Sequence, residues 1–158
     1  MSDLDKIFKA YDVRGVVPGE LDESVAEAVG AAFVLLTGAT TIVTLHDMRA
    51  SSGPLAEALG RGAASQGADV IHGGLGSTDM VYYASGFLDI PGAMITASHN
   101  PAKYNGIKLC KAGAKPVGIE TGLAEIKQLV AAGVPAFTGT RGTVTTRDLL
   151  PGYAEYLR

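Results

Sequence analysis

A serine, a histidine, an asparagine and a lysine stand close together in one polar segment of the chain. Ser98, His99 and Asn100 are consecutive, and Lys108 follows shortly after them. A hydroxyl beside hydrogen-bonding and cationic groups suits phosphoryl transfer, in which a protein contributes mainly positioning and charge neutralisation. Acyl transfer fits less well, because neighbouring residues of an extended backbone point to opposite sides and no G-x-S-x-G turn surrounds the serine. A simple polar turn is the alternative interpretation.

The elements around this segment place it where ligands bind in open α/β sheets. The apolar run 92–96 precedes it and predicts a short buried strand, and such sheets bind ligands at the carboxyl ends of their strands. Pro101 disfavours a helical conformation at Asn100, and Gly106 permits a close backbone turn. We therefore predict that residues 96–106 form a shaped loop rather than a helical turn.

Helical and extended patterns alternate along the rest of the chain. Apolar spacing predicts a helix at 22–37, with Asp22 available as its N-cap and Gly38 just past its end. Apolar spacing and turn residues predict further helices from Ser51 or Ser52 to a stop at Gly67, and at 78–86, 120–132 and 149–158. They predict strands at 41–45, 69–72, 92–96 and 107–110. Strands separated by helices imply crossover connections, so the predicted fold is a three-layer α/β/α sandwich with a mostly parallel, mixed sheet. The polar stretch 136–147 carries no strand prediction.

Composition and charge exclude several classes of protein. The chain has 158 residues, the length of one typical domain, and its 47% hydrophobic content argues against disorder. The formal net charge of -3 leaves no broad basic field, so we expect neither nucleic acid nor a membrane surface as a partner. The single cysteine, Cys110, excludes an internal disulfide, and Cys and His form no zinc-binding pattern. The polar, acidic start at Met1 and the absence of a long apolar run predict a cytoplasmic setting.

Three segments carry a resemblance to a known family. Thr-Ala-Ser-His-Asn-Pro at 96–101, followed by Tyr-Asn-Gly-Ile-Lys at 104–108, closely resembles the active-site signature of the α-D-phosphohexomutase superfamily. Residues 8–15 and 46–52 are similar to two further motifs of that family, in the same order. The resemblance covers essentially all of residues 1–158, but only as the first of the family's four domains. It implies that domains II to IV are absent from this chain.

The resemblance implies an activity and a role for each matching residue. Ser98 matches the serine that is phosphorylated in the resting enzyme and exchanges its phosphoryl group with a sugar monophosphate. The net reaction interconverts hexose 6-phosphate and hexose 1-phosphate, of mannose or glucose, through a sugar 1,6-bisphosphate. The implied catalytic residues are Ser98, His99, Lys108 and Arg14. The implied substrate-binding residues are Tyr11, Arg49 and Asn100.

Structural alternatives stand beside these roles. Arg14 could form an ordinary ion pair, Arg49 could pair with Asp47, and an isolated histidine or lysine such as His99 or Lys108 is often structural or solvated. A serine hydrolase, a phosphoglucosamine mutase domain and a non-catalytic module that binds a phosphosugar or a partner remain competing functions. For the Gly-rich stretch 73–76 we favour a tight strand-to-helix turn over a phosphate loop, with Asp79 available to cap the helix. We interpret His46, His72 and Cys110 as packing or surface residues.

The resemblance also implies cofactors and partners that this chain holds only in part. Mg²⁺ would be bound through the Ser98 phosphate, with its remaining ligands in an aspartate-rich loop that this sequence lacks. Glucose 1,6-bisphosphate would act as activator. The partners would be a hexose phosphate substrate and the remaining domains of the same enzyme. The isolated domain is therefore predicted to fold but to have negligible mutase activity.

Overall fold

The computed structural model describes residues 3–158, and of the predicted polar start of the chain only Met1 and Ser2 lie outside this range. A single sheet of seven strands runs through the centre of the molecule. The strands are β1 (Val13–Val16), β2 (Thr41–His46), β3 (Asp69–Leu75), β4 (Gly92–Ile95), β5 (Tyr104–Lys111), β6 (Lys115–Pro116) and β7 (Val144–Thr146). Their order is β1-β5-β4-β2-β3-β7, and β6 pairs with β5.

The strand directions make the sheet mixed. β4, β2, β3 and β7 run parallel to one another, whereas β5 is antiparallel to all three strands that it pairs with, β4, β1 and β6. β5 reverses direction because it follows β4 through the short connection 96–103, which contains no crossover helix. That connection carries Ser98.

Helices cover both faces of the sheet, as predicted. They are α1 (Leu4–Ile7), α2 (Glu23–Thr37), α3 (Ser52–Ser65), α4 (Thr78–Leu88), α5 (Leu123–Ala132) and α6 (Leu150–Tyr156). The larger core lies between the sheet and helices α2, α3 and α5. A smaller core lies on the other face, under α4 and α6. The three-layer α/β/α prediction is confirmed.

The predicted caps of α2 are confirmed, whereas the capping of α3 and α4 and the start of α5 differ from the prediction. Asp22 caps α2 through its side chain, and Gly38, just past the end, has a φ of 67°. The helix predicted at 120–132 is split, because Gly122 has a φ of 141° and separates a 3₁₀ turn from α5. Ser51 precedes α3 without a capping hydrogen bond. Ser77, not Asp79, caps α4, so the predicted capping role of Asp79 is wrong.

The strand that follows the serine loop is longer than predicted. β5 begins at Tyr104, three residues before the predicted strand, so Gly106 lies inside a strand and not in a loop. A Cβ at Gly106 would lie 2.6 Å from the carbonyl oxygen of Val13 and 2.9 Å from that of Thr96. The glycine therefore allows the backbones on both sides of β5 to approach closely.

Three strands, β1, β6 and β7, had no strand prediction. β7 lies in the polar stretch 136–147 and all three of its residues are exposed, so no alternation of apolar residues marks it. The Gly-rich stretch continues β3 as far as Leu75 and then turns into α4, as expected for a tight strand-to-helix connection. Among residues 3–158, no helix combines the length and apolar character that a membrane crossing requires.

The residues interpreted as packing residues occupy interior or partly buried positions. Cys110 is fully buried, and burial raises the pKa of its thiol. His72 on β3 places Nδ1 2.5 Å from Oγ1 of Thr44, and burial lowers the pKa of its imidazole. The Nδ1 of His46 lies 2.9 Å from the carbonyl oxygen of Asp47.

Candidate functional site

Ser98 lies on the surface, at the carboxyl end of β4. The residues before it are buried, with Ala97 fully so, whereas Ser98 and His99 are exposed. Ser98 has a φ of 53°, a left-handed conformation that is uncommon for residues other than glycine. A conformation of this kind persists where the surrounding structure fixes it, and such residues cluster at functional sites.

Strand pairing brings two predicted cationic residues to one face of the sheet. Arg14 on β1 pairs with Gly106 on β5, and Lys108 lies two residues further along β5. Directly paired residues, and residues two apart on a strand, share a face, so Arg14 and Lys108 are diagonal neighbours. Gly106 has no side chain, so no side chain from this position separates them.

These two residues line a cleft of about 960 Å³ together with Tyr11 and Asn100. The side chain of Tyr11 is highly exposed, and the residue as a whole is 82% accessible. Two further lysines, Lys6 and Lys9, also line the cleft and had no predicted role. Lys9 belongs to the segment that resembles the family's first motif, so that motif could have identified it.

Arg14 is held by two partners and keeps free donors. Its Nη2 donates to Oδ2 of the buried Asp12 at 2.6 Å, and its Nη1 donates to Oδ1 of Asn100 at 3.1 Å. Its Nε is buried and has no hydrogen-bond partner within residues 3–158. A guanidinium has five N–H donors, so one N–H on each Nη remains available to an anion, while the Nε N–H is buried. Asp12 had no predicted role; it orients this arginine.

Arg49 does not line the cleft with the other predicted residues. Its Nε donates to Oδ2 of Asp47 at 3.3 Å. Its Nη atoms donate to four carbonyl oxygens of the serine loop and the start of β5, at 2.8 to 3.1 Å: those of Ser98, Asn100, Pro101 and Tyr104. The structure therefore surrounds the Arg49 guanidinium with protein acceptors.

Asp47 connects this arginine to the serine loop from the other side. Its Oδ1 accepts from the hydroxyl of Ser52 and the backbone N–H of Arg49, and its Oδ2 accepts from the hydroxyl of Thr96 at 2.7 Å. Oγ1 of Thr96 in turn accepts from the N–H of Ser98 at 3.0 Å. Burial alone would raise the pKa of Asp47, but these hydrogen bonds and the charge of Arg49 lower it overall.

Asn105 ties the loop to the start of α3. Its fully buried amide nitrogen donates to the hydroxyls of Ser51 and Ser52, both at 2.8 Å. Its amide oxygen accepts from the N–H of Gly106. Asn105 had no predicted role of its own, although it lies within the quoted motif, because local sequence does not indicate which distant residue an asparagine contacts.

His99 stands beside Ser98 on the exposed part of the loop. Its imidazole has no hydrogen-bond partner within the described part of the chain, and neither Ser98 nor His99 lines the cleft itself. Asn100 connects the serine loop to the cleft, because it belongs to the loop and accepts a hydrogen bond from Arg14 in the cleft.

The residues present do not form a Mg²⁺ site by themselves. Within residues 3–158 no group of three or more His, Cys, Asp or Glu side chains is arranged to hold a metal ion. The carboxylate nearest to the serine loop in the hydrogen-bond network, Asp47, is occupied by four hydrogen bonds. A phosphate on Ser98 would be a single ligand, which leaves most of an octahedral shell unfilled.

The fold and the site together define an α/β/α domain that presents a serine hydroxyl next to a cationic cleft at one edge of its sheet. The family described as "Phosphoglucomutase/phosphomannomutase, alpha/beta/alpha domain I" matches residues 5–135. The chain belongs to this family, which confirms the resemblance in its motifs.

Individual relatives agree with this assignment. "Phosphohexose mutases" of Xanthomonas campestris pv. campestris are 40% identical over 151 residues, which is 95% of this chain and 34% of the relative. A "Phosphomannomutase" of Klebsiella pneumoniae is 38% identical over 94% of this chain and 96% of its own length. A crystal structure of a phosphoglucomutase/phosphomannomutase family protein from Burkholderia thailandensis superposes with a TM-score of 0.85 at 30% identity, over 98% of this chain and 35% of that one. The chain thus spans about a third of the Xanthomonas and Burkholderia proteins.

Proposed function

We propose that residues 1–158 are the phosphoserine-bearing domain I of a phosphohexomutase that interconverts hexose 6-phosphate and hexose 1-phosphate of mannose or glucose. The observation that carries the proposal is the exposed Ser98 at the carboxyl end of β4, on a loop joined through Asn100 to the cleft of Arg14 and Lys108. Family membership and relatives named as phosphomannomutases support the same reaction.

The proposed chemistry is a phosphoryl exchange in two steps. In the first, the bond between phosphorus and Oγ of Ser98 breaks while a bond forms from phosphorus to a sugar hydroxyl oxygen. The hydroxyl proton leaves, and Oγ takes the bonding electron pair and recovers a proton. The resulting sugar 1,6-bisphosphate turns over, and its other phosphoryl group returns to Ser98 by the reverse of the same step. One serine therefore acts as donor and as acceptor.

The residues near Ser98 have distinct proposed roles. Arg14 binds phosphate oxygens through the free N–H on each of its Nη atoms, and Asn100 fixes its orientation. Lys108 neutralises charge that develops on the reacting oxygens and assists proton transfer. His99, exposed beside the serine, hydrogen-bonds the transferring group, and Tyr11 contacts the sugar from the rim of the cleft.

The proposal includes components outside this chain. Mg²⁺ would draw one ligand from the Ser98 phosphate and the rest from further domains of the same enzyme, and glucose 1,6-bisphosphate would serve as activator. No step assigned above to this chain depends on the ion. The single, buried Cys110 supports a reducing cytoplasmic setting.

A coupled assay with hexose 1-phosphates tests the proposal. The protein is expressed as its gene encodes it, with any residues that follow Arg158, and compared with Ser98→Ala and with Ser24→Ala, an exposed serine on α2. We expect Ser98→Ala to abolish mutase turnover and Ser24→Ala to leave it unchanged. The 158-residue chain alone should have negligible turnover. Full activity in Ser98→Ala would contradict the proposal, and a wild-type protein that binds phosphosugars without turnover would indicate a binding module instead.

A further inference from the structure

We infer that Arg49 is a positioning residue that holds the Ser98 loop in shape, and that it does not bind substrate directly. The resemblance assigned substrate binding to this arginine, so the inference changes its role. Its consequence for catalysis rests on the proposed function, whereas its consequence for the loop itself does not.

Arg49 has no N–H donor left for a substrate. The Nε of Arg49 donates one hydrogen bond to Asp47, and each Nη donates two hydrogen bonds to carbonyl oxygens of the loop and the start of β5. These bonds account for all five N–H groups of the guanidinium. Arg14, in contrast, uses two of its five. An arginine without a free donor offers no hydrogen bond to a phosphate. Of these two arginines, only Arg14 can therefore donate to a phosphate in this conformation.

The hydrogen bonds to Arg49 also orient the peptide groups of the serine loop. The carbonyls of Ser98, Asn100 and Pro101 all converge on one cation. In a trans peptide the N–H points away from the C=O, so the N–H groups of His99 and Ala102, which follow two of these carbonyls, point away from Arg49. Carbonyl oxygens would repel a phosphate. Arg49 binds them on the side of the loop opposite to the N–H groups of His99 and Ala102.

Arg49 and Asp47 also support the backbone conformation of Ser98. Ser98 has a φ of 53°, which requires support from its surroundings. Its N–H is held by Thr96, which is in turn held by Asp47, and its carbonyl is held by Arg49. Since Asp47 also binds Arg49, one ion pair at the end of β2 fixes the backbone on both sides of the reacting hydroxyl.

Lysine cannot replace arginine in this arrangement. An ammonium has three donors around a point charge, whereas the planar guanidinium reaches four carbonyls and a carboxylate at fixed angles. If the role were only to supply positive charge to a substrate phosphate, lysine would retain much of it. The conservative variant therefore separates positioning from substrate binding.

The loop can be probed without any assay of activity. Backbone amide exchange is measured by NMR on the 158-residue chain for wild type, Arg49→Lys, Arg49→Ala and the control Arg61→Ala, whose guanidinium contacts Glu23 and Glu27 on the exposed surface. The amides of Ser98, Asn100 and Tyr104 report on the loop, because each donates within it. We expect exchange at these amides to rise by about tenfold or more in both Arg49 variants, with the core strands and Arg61→Ala unchanged. Wild-type exchange rates in the loop of Arg49→Lys, or a rise of equal size throughout the chain, would overturn the inference.

Steady-state kinetics of the protein expressed with all residues that its gene encodes provide the second readout. A positioning role predicts that Arg49→Lys lowers kcat about a hundredfold with KM little changed. A rise in KM with kcat retained would assign Arg49 to substrate binding and overturn the inference. If the wild-type protein itself has no mutase activity, the proposed function fails, and the exchange measurement still decides whether Arg49 holds the loop.

Discussion

Arg14 and Arg49 differ in what the structure leaves them free to do. Both form an ion pair with an aspartate two residues earlier in the chain, Asp12 or Asp47. Arg14 reaches only one further acceptor, in Asn100, and it lines the cleft. Arg49 reaches four further acceptors, all of them backbone carbonyls of the serine loop and the first residue of β5. At the scale of single residues, Arg14 has free donors for a ligand, whereas the donors of Arg49 all bind the protein itself.

Replacement of Asp47 tests the network that supports the loop. In Asp47→Asn an amide NH₂, which is itself a donor, replaces one of the carboxylate oxygens that accept hydrogen bonds in the wild type. We therefore expect the free energy of unfolding at pH 7 to fall by about 2 kcal/mol. The pKa of Asp47 is lowered from its ordinary value of 3.8, so its ionised form stabilises the fold above that pH, and the benefit is lost as pH falls through the lower folded value. The difference between wild type and Asp47→Asn, measured by urea unfolding, should therefore shrink between pH 7 and about pH 3.

Asp79→Asn is the matched control for this experiment, because Asp79 is an exposed carboxylate in the first turn of α4. Its free energy of unfolding should lie within about 0.5 kcal/mol of wild type. A pH-independent difference for Asp47→Asn, or one as small as that of the control, would show that Asp47 does not stabilise the loop through its charge.

At the scale of elements, the site depends on one antiparallel strand in an otherwise largely parallel arrangement. β5 returns directly from β4, so the connecting loop is short and lies at the sheet edge where the parallel strands end. β5 also pairs with β1, which brings Arg14 beside Lys108. Helices α2 and α3 support the other face of the sheet from the larger core.

Gly62 on α3 is essential for the close packing of α3 on α2. A Cβ at this position would overlap the carbonyl oxygen of Glu27, which belongs to the backbone of α2 and cannot move aside as a side chain could. We expect Gly62→Ala to lower the free energy of unfolding by about 3 kcal/mol, as overpacking in a well-packed core does. Gly86→Ala on α4 is the control, since a Cβ there meets no atom within 4 Å, and it should be neutral or slightly stabilising. Equal thermal stabilities of the two variants would contradict this account of the helix contact.

Sequence patterns predicted the elements with strong internal periodicity and missed those defined by pairing. The spacing of apolar residues and the caps at Asp22 and Gly38 determine α2 locally, so its bounds agree with the structure. β7 is an exposed edge strand, and nothing in its own residues distinguishes it from a loop. Gly106 was predicted to form a turn, because a glycine that permits close contact between strands has the same local signal as one in a turn.

Four of the seven predicted site residues lie together in the structure, whereas Ser98, His99 and Arg49 lie outside the cleft. Tyr11, Arg14, Asn100 and Lys108 do line one cleft. The contacts of Arg49 could not be read from the chain, because its acceptors at Ser98 and beyond lie about fifty residues away in sequence. Only the nearby Asp47 was visible as a partner, and the structure has that contact together with the distant ones.

At the scale of the whole molecule, the chain has a formal net charge of -3 but concentrates cationic groups at the cleft. Lys6, Lys9, Arg14 and Lys108 lie there together with the carboxylates of Asp5, Asp12 and Glu20. An anion would therefore be bound by individual cationic donors and not by a broad positive field, which is suited to a small phosphorylated ligand. The chain spans about a third of its Xanthomonas relative, so we propose that further domains provide the remainder of the substrate site.

The central claim is that the Ser98 hydroxyl accepts a phosphoryl group and passes it to a sugar. The most direct test incubates the protein, expressed with all residues that its gene encodes, with glucose 1,6-bisphosphate labelled in its phosphates, and removes the excess. Intact and peptide mass spectrometry should then locate one phosphate on Ser98. Addition of unlabelled glucose 1-phosphate or mannose 1-phosphate should move the label from the protein to the sugar. A protein that never gains the label on Ser98, or that holds it without transfer to either sugar phosphate, would contradict the account.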